Sequence, residues 1–132
     1  MKLNNIIKLV LLILLSLNLY AGMGSHTPIA DNNNEGIFYP SDRSTNNPTP
    51  VVFFLPGGFP SSYQNNYEPL LKFVASHGYT VIYVPNSLDE FDVFMENEKD
   101  FLDMDNIGVI GHSVGGGKVF KILLDARERL GR

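Results

Sequence analysis

Three short runs of the chain are apolar without alternation. They are Val51-Val52-Phe53-Phe54-Leu55, the stretch 79–84 (Tyr79-Thr80-Val81-Ile82-Tyr83-Val84) and Ile107-Gly108-Val109-Ile110. Runs of this kind predict strands buried on both faces of a sheet. The segments between them carry helical periodicity. A helix is predicted over 67–77, with Pro69 in its first turn and Gly78 at its C-terminal cap. Leu70, Phe73, Val74 and His77 fall on one face of it. Ser87 and Glu90 fit a capping box that opens a helix to about residue 102, with Phe91, Phe94 and Met95 on one side. A last helix, from about residue 114, places Val119, Ile122, Leu123, Ala126 and Leu130 along one stripe. Gly36-Ile37-Phe38-Tyr39-Pro40 predicts a further short strand, and 41–50 a polar loop. Alternating strands and helices of this type predict an α/β fold, three-layer αβα, with a mainly parallel sheet.

The first residues follow a different pattern. Met1-Lys2 and Lys8 flank an apolar run over 9–15, and small residues follow at Ala21-Gly22. A basic start, a short apolar stretch and a small-residue end predict a signal peptide over 1–22. The run is shorter than the ~20 residues needed to span a bilayer. The expectation is a secreted or periplasmic protein with no stable membrane span after cleavage. The alternative is an uncleaved N-terminal membrane anchor. Residues 23–35 are polar and asparagine-rich, which predicts a flexible leader. The remainder, 36–132, is read as one domain. The net charge of −4 gives no basic patch for nucleic acid. The chain has no cysteine, which excludes disulfides, thiolate metal sites, cysteine nucleophiles and a lipoprotein anchor.

The chemistry concentrates in Gly111-His112-Ser113-Val114-Gly115. This G-x-S-x-G lies between the third apolar strand and an amphipathic helix, the setting of a nucleophile elbow. Ser113 is the candidate nucleophile. Gly111 and Gly115 are small where strand and helix backbones converge. The backbone N–H of Val114, at the start of the following helix, is a candidate oxyanion donor. The loop after the first buried strand, Pro56-Gly57-Gly58-Phe59, supplies the second, with Gly58 the first choice and Phe59 the other.

A general base and its acid are not identifiable. His112 adjoins Ser113 but leaves the strand on the other side, His77 ends a helix, and His26 lies in the leader. Asp89, Asp92, Asp100, Asp103, Asp105 and Asp125 fall on helix faces or turns. Gly115-Gly116-Gly117-Lys118 does not make a P-loop, because His112 stands at the first glycine position and Val119 replaces the Ser/Thr. No metal-ligand cluster and no cofactor motif is visible.

With these stretches in view, residues from about 37 to 129 resemble the N-terminal half of an α/β-hydrolase. The likeness is carried by Ile37-Phe38-Tyr39-Pro40-Ser41-Asp42, Val51 through Gly58, Tyr67-Glu68-Pro69-Leu70-Leu71, Ala75 through Ile82, and Ile107 through Gly117. It is nearest to the secreted cutinase-like and polyester-hydrolase, chlorophyllase-like and platelet-activating-factor acetylhydrolase-like branch. The resemblance implies a serine esterase or lipase-like enzyme that cleaves a small-molecule or polymeric ester without a cofactor. It also implies an acid and a histidine on loops after later strands, and only 19 residues follow Ser113. The chain is therefore expected to be a partial hydrolase domain. The alternatives are a non-catalytic fragment, a pseudoenzyme, or a half-domain that needs a partner chain. A nucleotide-binding α/β domain is disfavoured by the failed phosphate motifs.

Overall fold

The computed structural model describes residues 22–58 and 67–129. Its strands are β1 (Pro28–Ala30), β2 (Ile37–Pro40), β3 (Thr49–Leu55), β4 (Thr80–Tyr83) and β5 (Leu102–Gly111). The α-helices are α1 (Glu68–Ser76), α2 (Asp92–Asn97) and α3 (Val119–Arg129). Together they form an α/β protein with an open sheet in the order β1-β2-β4-β3-β5. The predicted signal peptide lies outside the described residues, apart from Gly22. Among the described residues no helix is long and apolar enough to cross a membrane.

The three apolar runs form the parallel part of the sheet. Val51 to Phe54 pair with Thr80 to Tyr83 on one side, and Val51 to Leu55 pair with Ile107 to Gly111 on the other. The expectation of a mainly parallel sheet stops there. β2 pairs antiparallel with both β4 and β1, so the sheet is mixed. β2 and β1 precede the first helix and face each other across a short turn. A connection that short can join only antiparallel strands.

The residues of β3 alternate between two apolar clusters. Val51, Phe53 and Leu55 pack with Leu88, Phe91, Phe94, Ile122 and Ala126. Val52 and Phe54 pack with Leu71 and Ala75 of α1. Topology explains the division. The chain steps from β3 to β4 in one direction and returns past β3 to β5 in the other. Right-handed crossovers that run in opposite directions put their helices on opposite faces.

Three elements differ from the sequence expectation. In α1 the buried side chains are Leu71, Ala75 and Ser76, whereas Leu70 is 43% exposed. The apolar positions at 70, 71, 73 and 74 leave the helical phase open, and packing against Val52 and Phe54 selects one turn of it. The helix predicted after Ser87 is broken into a 3₁₀ turn (Leu88–Phe91), α2 and a second 3₁₀ turn (Lys99–Phe101). The Ser87 hydroxyl caps Asp89 N–H at 3.2 Å, and Glu90 accepts from Asn86 at 3.2 Å instead of closing a capping box. The last helix also begins late. Ser113–Lys118 is a 3₁₀ turn, and α-helical structure starts at Val119. Gly115-Gly116-Gly117 has the poorest helix propensity short of proline.

The leader expected over 23–35 is bound to the fold. Pro28–Ala30 pairs with β2, His26 N–H donates to Ser76 O at 3.0 Å, and Gly24 N–H donates to Ser76 Oγ at 2.7 Å. A side chain at Gly24 would run into the Ser76 carbonyl. The N-terminal ends of the central strands are also tied. The buried hydroxyls of Thr49 and Thr80 share a 2.6 Å hydrogen bond. β5 carries three extra residues against β3, between the pairs Pro50↔Asp103 and Val51↔Ile107. Asp103 braces that irregularity, accepting from Asp105 N–H at 3.1 Å and Asn106 Nδ2 at 2.7 Å.

Candidate functional site

Ser113 is separated from the end of β5 by His112 alone, with φ at 53°. Among the described residues it is the one non-glycine residue in the left-handed region. A β-carbon there is crowded by the following carbonyl, which costs about 1–2 kcal/mol. The backbone holds this turn in place by two hydrogen bonds. His112 N–H donates to Leu55 O at 3.0 Å, continuing the β3–β5 ladder, and Gly115 N–H donates to His112 O at 2.8 Å.

The glycines of the motif are set by contact. A methyl on Gly111 would lie 2.6 Å from Gly115 O and from the Gly116 backbone. One on Gly115 would collide with Leu55 O and lie 2.6 Å from Pro56 O. These neighbours are backbone atoms, so no side-chain rotation relieves the clash. The turn therefore doubles back onto the end of β3 with no room between.

The loop after β3 meets the same turn. A methyl on Gly57 would lie 2.8 Å from Ser113 Cβ and 2.7 Å from His112 Nδ1. Gly58 has φ at 69°, and among the described residues nothing stands where a side chain would be. Phe59 lies outside the described residues. Ser113, Val114 and Gly58 are all exposed, with Val114 at 58%. Val114 N–H belongs to the first turn of a 3₁₀ segment, where amides have no partner within the turn. Because the segment is a six-residue 3₁₀ turn, the open amide, rather than the dipole of a long helix, is what Val114 offers.

The position of this cluster follows from topology. β3 and β5 are neighbours, yet the chain leaves β3 toward the α1 face and β5 toward the α3 face. The crevice beyond the carboxyl ends of two such strands is where open α/β sheets bind ligands.

Tyr67, which precedes α1, completes the cluster. Gly57 N–H donates to its hydroxyl at 3.0 Å, and the same hydroxyl lies 3.0 Å from His112 Nδ1. The ring packs on Phe54 at 4.9 Å, on Tyr83 at 5.8 Å, and meets the His112 ring edge-on at 5.9 Å. Burial, and then the neighbouring Tyr67, push the Tyr83 hydroxyl above its ordinary pKa. In the sequence Tyr67 only opens a helix, since nothing local marks a contact across 45 residues.

The other two histidines lie elsewhere. His77 Nδ1 lies 2.8 Å from Phe73 O in its own helix, in keeping with a histidine at a helix end. His26 Nδ1 lies 2.8 Å from Asp42 Oδ1 and 3.0 Å from Oδ2. Both histidines sit at the amino ends of the parallel strands, near Ser76 and Gly78. Thr80 is opposite Val51 and Gly111 opposite Leu55, so a strand length of roughly 13 Å separates them from the Ser113 end. Among the described residues no group of three or more His, Cys, Asp or Glu side chains could hold a metal ion.

No known protein-family model matches the chain, and no curated protein matches it.

Proposed function

We propose that this chain carries the nucleophile and oxyanion-hole parts of a secreted or periplasmic α/β-hydrolase, within a three-layer αβα domain. The reaction is cleavage of a carboxylic ester, small-molecule or polymeric, through an acyl-Ser113 intermediate with water as final acceptor. The observation that carries this reading is Ser113 itself: a positive-φ serine between a parallel strand and a turn into a helix. That is the strained strand-to-helix geometry of a nucleophile elbow. Support comes from the Gly57-Gly58 loop, which follows β3 and touches the elbow.

The chemistry assigns each part a task. Ser113 Oγ attacks the acyl carbon, and the carbonyl oxygen takes up negative charge. Val114 N–H and a donor from Gly58 or Phe59 stabilise that oxyanion. The leaving alkoxide departs with a proton, and water then releases the acyl group. The Ser113 proton needs a base. His26 and His77 are at the other end of the sheet, and His112 Nδ1 is engaged by Tyr67.

This last observation favours a second reading, a half-domain whose acid and histidine come from a partner chain. A fluorophosphonate probe tests the first. Labelling of Ser113 is expected and is lost in Ser113→Ala; equal labelling of both proteins sinks the reading. Ester hydrolysis that appears only when a chain supplying Asp and His is added selects the second.

A further inference from the structure

We propose that Tyr67 is a positioning residue that locks the oxyanion loop to the elbow and sets the tautomer of His112. The inference rests on the esterase reading for its catalytic consequence, but not for its geometry.

Tyr67 stands at the N-cap of α1, yet its side chain makes no capping hydrogen bond to that helix. The hydroxyl reaches instead to two segments distant in sequence, the loop after β3 and the elbow after β5. A phenol has one proton and can both donate and accept. Gly57 N–H can only donate, so the phenol oxygen is its acceptor. The phenol proton is then free to go to His112 Nδ1, which lies at the same 3.0 Å distance. This arrangement leaves the imidazole proton on Nε2. It also occupies Gly57 N–H, so the loop's oxyanion donor comes after Gly57, where Gly58 is exposed.

The loop needs such an anchor. Two consecutive glycines have the widest backbone freedom of any dipeptide, and an oxyanion donor is effective only when its direction is settled before the reaction. The Tyr67 ring is held by Phe54 and Tyr83, so its hydroxyl is a fixed point carried by the sheet. Losing the hydroxyl would let Gly57-Gly58 turn while Ser113 stays in place.

Tyr67→Phe keeps the ring and removes the link. The test combines ¹⁵N spectra of His112 and amide exchange at Gly57 with the rate of fluorophosphonate labelling of Ser113. Wild type is expected to show His112 protonated on Nε2, with Nδ1 accepting a hydrogen bond. In Tyr67→Phe the Nδ1 resonance moves, Gly57 exchanges about tenfold faster, and labelling slows roughly fivefold to tenfold. An Nδ1–H tautomer in wild type overturns the proposal without need of any variant. So do Gly57 exchange and labelling rates that are unchanged in Tyr67→Phe. If wild type carries no label on Ser113, the reading of a nucleophile active in this chain alone falls, and the His112 and Gly57 signals alone decide whether the lock exists.

Discussion

Gly57 and Ser113 touch so closely that a single methyl group on the glycine would stand 2.8 Å from the serine β-carbon. The loop that would hold an oxyanion and the residue that would create it are thus packed against each other. Gly57→Ala is expected to push the loop away from the elbow. Gly115→Ala is worse, because the new methyl meets the Leu55 carbonyl. Overpacking of this kind costs typically 1–3 kcal/mol. Urea unfolding checks both; a loss below about 0.5 kcal/mol in Gly115→Ala would show that the turn has slack.

The strain at Ser113 gives a prediction that separates stability from chemistry. Ser113→Ala retains a β-carbon at φ 53° and should unfold at nearly the wild-type denaturant concentration. Ser113→Gly removes the crowding and should be more stable than Ser113→Ala by about 1 kcal/mol. Both lose fluorophosphonate labelling. A glycine variant less stable than the alanine variant would mean that the turn is unstrained.

Helix α1 tests which face packs on the sheet. Leu71 is fully buried, and Leu70 is 43% exposed. Leu71→Ala should cost about 2–5 kcal/mol, and Leu70→Ala within about 0.5 kcal/mol. Equal costs in thermal or urea unfolding would refute the observed helical phase.

The pair His26–Asp42 makes the N-terminal segment sensitive to acid. The hydrogen bond from His26 is the main cause that holds the Asp42 carboxyl below its ordinary pKa. A carboxyl depressed in the folded state stabilises it above the ordinary carboxylate value and loses that contribution as pH falls through the lower folded value. The protection of the β1–β2 amides, the slowing of their exchange relative to an unfolded chain at the same pH, should therefore fall below about pH 4, and Asp42→Asn should remove this step. An unchanged acid profile in the variant would detach the effect from Asp42.

The sequence by itself determined the three parallel strands, since a continuous apolar run has no polar side to turn to water. It also marked the tight turn after β5, because glycine at 111 and 115 stands where backbones converge. Local pattern extends no further than that. Met23 through Glu35 looks like a polar leader because its anchoring is hydrogen bonding, to β2, to Ser76 and from His26 to Asp42, which leaves no apolar signal. The expected face of α1, through Leu70, Phe73, Val74 and His77, gave way to one centred on Leu71 and Ala75, because these pack against Val52 and Phe54. The tertiary structure alone decided that His26 and His77 lie a strand length from Ser113, and that Tyr67 joins Gly57 to His112. These are relations between segments brought together by crossovers, and hydrophobic periodicity carries information only about the face of its own element.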